Sequence, residues 1–125
     1  MIHVPSSVGD AVDRVSILHI KSEKIKDTNL LEKVVAERDA LELSIQHYLD
    51  MPCVADVYPD LKHVNEKLWD TEDALRKMED AGTFDGEFVT LARSVYITND
   101  HRALLKKFIN DVTNSELAEV KWYDR

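Results

Sequence analysis

The apolar residues of this chain recur mostly at intervals of three and four, the spacing that lines up one face of an α-helix. Val8, Ala11, Val15, Leu18, Ser22 and Ile25 predict a first helix over residues 8–26, with Ser7 and Asp10 as a capping pair. Ile17 and Ile20 lie off that stripe. A second helix is predicted over 30–49, with a stripe of Leu31, Val34, Val35, Leu41, Ile45, Tyr48 and Leu49 and Asn29 as its cap. Arg38 and Glu42 interrupt the stripe four residues apart and read as a partly covered ion pair. Pro52 should end this helix, because proline disfavours helical geometry in the residue before it. Residues 54–59 then read as a loop.

The third helix is predicted over 60–81, apolar at Leu61, Val64, Leu68, Leu75 and Met78, and stopped by Gly82. Thr83 or Asp85 would cap a fourth helix over 86–111. Phe88, Leu91, Ala92 and Val95 form its first face, but Leu104, Leu105, Phe108 and Val112 lie on another side. Either the helix kinks near Thr98, Asn99 and Asp100, or both of its sides are covered. The tail, 115–125, is either a last helical turn or a short strand pairing with Ile2, His3 and Val4. The expected fold is thus all-α: an antiparallel bundle of about four helices, with a β-ribbon joining the two ends as an option.

Length narrows the picture to one domain, here residues 1–125. A net charge of -8 disfavours nucleic acid, since a surface of that sign repels phosphate. Cys53 is the single cysteine, so no internal disulfide can form and a cytoplasmic setting is expected. Neither a signal peptide nor a membrane span is recognisable, and no membrane partner is expected.

Candidate chemistry is sparse. The five histidines show no zinc-binding spacing, and there is neither a nucleophile elbow nor a phosphate loop. Asp39 with Glu42, and Asp70 with Asp73, repeat the three-residue spacing of magnesium-binding carboxylates on adjacent helices. They imply Mg only as a secondary reading, because Asp70 and Asp73 fall opposite the apolar face; no cofactor is the primary expectation. A polar stripe is more promising: Asn65, Trp69 and Glu72 on the third helix, and Arg93, Asn99 and Arg102 on the fourth. Where these helices meet, the stripe would form either a network that fixes register or a site for a small anion, such as a nucleotide or nucleotide sugar.

Two segments resemble signatures of a known family: Val64-Asn65-Glu66-Lys67-Leu68-Trp69-Asp70-Thr71-Glu72-Asp73, and residues 91–103 from Leu91 to Ala103. Residues 4–24, with Ser16-Ile17-Leu18-His19-Ile20-Lys21, are similar as well. The family looks like a group of uncharacterised bacterial and phage domains, some joined to tetratricopeptide-repeat or sugar-transfer proteins. The resemblance implies no activity. The expected function is therefore drawn from the surface: a self-associating interaction module, with Ile17, Ile20, Ile97, Leu104 and Phe108 as interface candidates. Ligand binding or magnesium-dependent nucleotide hydrolysis at the polar stripe, and inhibition of a host protein in the manner of small phage proteins, are the alternatives.

Overall fold

A computed structural model describes residues 1–120. It contains four helices: α1 (Val8–Lys24), α2 (Thr28–Leu49), α3 (Pro52–Ala81) and α4 (Gly86–Thr113). Their ends follow local chemistry. Ser7 is extended, and its hydroxyl accepts from the Asp10 N–H at 3.0 Å. Asp27, rather than Asn29, caps α2 by accepting from the Leu30 N–H. Gly82 closes α3 in the left-handed conformation (φ 67°), and Asp85 caps α4. Asn114 ends α4, also left-handed, a conformation asparagine tolerates better than most residues.

Three expectations change. Residues 54–59 are helical, so α3 starts at Pro52 and not at residue 60. Proline suits a first helical turn, where its missing N–H would have no helix partner anyway. Val54 and Leu61 then fall on one buried face and pull the first turns into the core. Nor does α4 break at Thr98, Asn99 and Asp100; it is continuous, with Thr98 buried, so its two apolar faces are real. Finally, no strand occurs among the described residues. Residues 2–4 and 115–120 are irregular, and the rest of the tail lies outside the described residues.

α3 and α4 form the largest helix–helix contact, and α1 lies across both while also holding α2. α2 touches α3 only slightly and buries none of its residues fully. The tightest core joins Val8 and Val12 of α1 to Val54 and Leu61 of α3 and Ile109 of α4. Ile45, Tyr48 and Leu49 of α2 lean against it. Beyond Leu68 on α3 and before Thr98 on α4 no side chain is fully buried. The distal halves of these helices thus form a two-helix arm, with Leu75, Met78, Leu91 and Val95 half-buried along it. Among the described residues, no helix is long and apolar enough to cross a membrane.

α1 meets α4 at Gly9. A Cβ there would come within 2.5 Å of the Lys106 carbonyl oxygen and 2.9 Å of Asn110 Oδ1. The Gly9 N–H donates to Asn110 Oδ1 at 2.7 Å, tying the first turn of α1 to the end of α4. Gly9→Ala should therefore force the helices apart and cost about 1–3 kcal/mol, as overpacking does. Gly86, where a Cβ would meet nothing within 4 Å, is the control. Urea denaturation of both alanine variants should show a loss at Gly9 alone; equal midpoints would refute the close crossing.

Candidate functional site

The strongest polar constellation centres on a residue that sequence reasoning passed over, Asp13 of α1. Its side chain is only 6% exposed. Arg102 of α4 grips it with two bonds, Nε to Oδ1 at 2.9 Å and Nη2 to Oδ2 at 2.5 Å. Asn65 of α3 donates to Asp13 Oδ1 at 2.9 Å and to Ser16 Oγ at 2.8 Å. Ser16 in turn donates to the Asp13 backbone carbonyl at 2.6 Å. The hydrogen bond from Arg102 to Asp13 outweighs burial and holds the guanidinium above its ordinary pKa.

Two of the six stripe residues, Asn65 and Arg102, thus converge. Trp69 is half-buried, while Glu72 and Arg93 stand exposed on the arm. Arg93 makes a 3.4 Å contact with the Tyr96 hydroxyl. Asn99 borders a small cleft of about 260 Å³ with Tyr96, Arg102, Lys106 and Glu119. Its cations are already engaged: Lys106 binds Asp10 and Glu119, each at 2.8 Å. Arg102 spends its Nε/Nη2 edge on the buried carboxylate, a bidentate pairing that fixes both side chains. The chemistry of the cluster is therefore that of a three-helix lock. The missed signal was a second stripe on α1, Gly9, Asp13, Ser16 and Ile20, beside the apolar one; together they bury most of the helix circumference.

The other candidates separate. Among the described residues, no group of three or more His, Cys, Asp or Glu side chains is placed to hold a metal ion. Asp39 pairs with Arg38, Glu42 with His19, Asp70 with Lys24 and Asp73 with Lys77. The expected Arg38–Glu42 pair gives way to these contacts and to an Arg38 bond to Ser22. Of the interface candidates, Ile20 is corrected: it is 1% exposed, because α1 is a central helix covered on more than one side. Ile17 is half-buried, whereas Ile97, Leu104 and Phe108 are 59%, 66% and 43% exposed.

Two outcomes follow from the lock. Asp13→Ala and Arg102→Ala should each cost about 3–5 kcal/mol in urea denaturation, since either strands a charge. Asp13→Leu with Arg102→Met should cost much less than the sum, and additivity would contradict the pairing. Burial opposes charge on both Asp10 and Lys106, but their mutual bond prevails, lowering the Asp10 pKa below 3.8 and raising that of Lys106 above 10.5. The pair's contribution should hold between those values. It should fall away as pH drops below 3.8 and as it rises above 10.5, and Lys106→Met should weaken both limbs of the stability–pH profile.

No curated protein and no solved structure matches the chain. The sequence profile of one family, described as "Family of unknown function (DUF6165)", matches residues 2–125. The chain, an all-α fold of four helices, belongs to that family.

Proposed function

We propose that this protein is an assembly module that pairs with a second copy of itself through the outer face of α4. The observation that carries this reading is the exposure of Ile97, Leu104 and Phe108 on a helix whose other side is already in the core. A helix apolar on two sides needs two partners, and the fold supplies one. Val89 and Tyr96, 52% and 55% exposed, extend the patch along the same helix towards the arm. The arm itself is two helices thick, too thin to bury its apolar side chains fully.

The charges suit self-pairing. Two α4 helices crossing antiparallel, with Ile97 of one copy on Leu104 of the other, bring Arg93 opposite Phe108 of the second copy. That contact is of the cation–π kind. Asp111, one turn further and paired with Lys107 at 3.0 Å, adds negative charge near the same guanidinium. Full burial of one such apolar side chain is worth about 1.5–3 kcal/mol. The patch is small and its side chains are only partly covered in such a pair, so the association is weak. Cys53, exposed and free, suits a reducing compartment such as the cytoplasm.

Sedimentation equilibrium tests this reading. The wild-type chain should dimerise at tens of micromolar. Ile97→Glu with Leu104→Glu should be monomeric with an unchanged circular-dichroism spectrum, because both sites are exposed. A wild type that stays monomeric at all concentrations, or a double variant that still dimerises, would defeat it.

A further inference from the structure

A larger cavity, about 410 Å³, opens between α1, α2 and α3, away from both the Asp13 lock and the outer face of α4. Its volume lies in the range of small-molecule sites. Val15, Leu49 and Ala55 give it apolar walls. Its polar side chains are His19, Glu42, Gln46, Tyr58 and Lys62.

Four features set this cavity apart from a packing gap. The Tyr58 hydroxyl is shut off from solvent yet meets no hydrogen-bonding partner among the described residues. Burial of such a group without a partner is unfavourable, so a ligand that shifts the ring enough to set an acceptor against the hydroxyl is favoured. Desolvation, aided by the charges of Glu42 and Glu23, pushes its pKa up to about 12, so it stays a donor. Next, Pro59 lies inside α3 and has no N–H for the carbonyl of Ala55, a residue of the cavity wall. Third, α2 departs from helical geometry at Ile45 (φ -120°, ψ 16°), between Glu42 and Gln46; helix irregularities of this kind often mark functional sites. Last, the His19 and Tyr58 rings meet edge-on, centroids 6.3 Å apart at 81°. They form a corner in which a flat ring can stack on one and abut the other.

The charges in the wall are already compensated. His19 Nε2 is bonded to Glu42 Oε1. Lys62 is bonded to Glu23 at 2.5 Å and lies 3.6 Å from Glu66. An ionic ligand of either sign would meet a like charge as well as an opposite one, so an uncharged ligand fits best.

We propose that the cavity between α1, α2 and α3 binds an uncharged planar nitrogen heterocycle of nucleobase type, with an acceptor on Tyr58 and a donor towards Glu42, Gln46 or the Ala55 carbonyl. Titration calorimetry with adenosine, guanosine, cytidine and uridine, and with glucose as a non-planar control, tests it. At least one nucleoside should bind saturably and glucose should not. Tyr58→Phe should weaken that binding at least about tenfold, the worth of one hydrogen bond. Without ligand, the same variant should melt no lower than the wild type, because the lost hydroxyl has no protein partner. Ala55→Trp, at an exposed wall position, should fill the cavity and abolish binding. The proposal is overturned if no nucleoside binds, if glucose binds instead, or if Tyr58→Phe binds as tightly as the wild type.

Discussion

A carboxylate taken out of water must be met by donors, and here one carboxylate organises three helices. Asp13 draws in Arg102 from α4 and Asn65 from α3, and its own helix adds Ser16 to the network. The value of such a lock is in orientation more than in net stability, since burying a charge pair costs much of what it returns. With Arg102 turned inward, the rotation of α4 is set. Ile97, Leu104 and Phe108 then lie roughly 200–240° around the helix from Arg102, at 3.6 residues per turn. Their exposure is a consequence of the buried ion pair, and the proposed interface depends on it.

The same lock explains where the structure is firm and where it is loose. Val8, Val12, Val54, Leu61 and Ile109 gather at one end of the molecule, and Gly9 brings α1 and α4 together there. α2 buries no residue fully, and neither does the distal arm. Segments with few buried apolar contacts open first. The cavity beside Tyr58 has α2 as one wall, so a ligand there would tie the loosest helix to α1 and α3. In this arrangement the two proposed surfaces are separate: the cavity sits under α2, and the apolar stripe runs along the far side of α4.

Much of the fold was legible from spacing alone. The four helices, the Ser7 cap and the Gly82 stop are all local signals, and local chemistry decides them. What escaped was set by tertiary contact. Pro52 marks the end of α2 as expected, but the loop expected over 54–59 is helix, because Val54 and Leu61 gain more from the core than a loop could. Asp13 lies off the apolar stripe of α1 and carries no motif, so only the covering of α1 on several sides reveals its role. Ile20, off the apolar stripe, reads as a surface residue, yet the same covering of α1 buries it. The pairing of Arg38 with Glu42 was plausible by spacing, but His19 lies across the helix interface and takes Glu42 instead. The cavity depends on three helices separated in sequence, and no motif announces it; an internal Pro59 was its one local trace. The unequal faces of α4, by contrast, were visible in advance, and the continuity of the helix makes both of them genuine.

The link from the inward Arg102 to an outward, self-pairing face can be examined most directly by isotope-filtered NMR on a mixture of labelled and unlabelled chains. Contacts between copies should appear between the methyl groups of Ile97 and Leu104, while those of Val12 and Ile109 contact each other only within one chain. Spectra in which Val12 and Ile109 give their contacts, but Ile97 and Leu104 show none between copies at high concentration, would contradict the account.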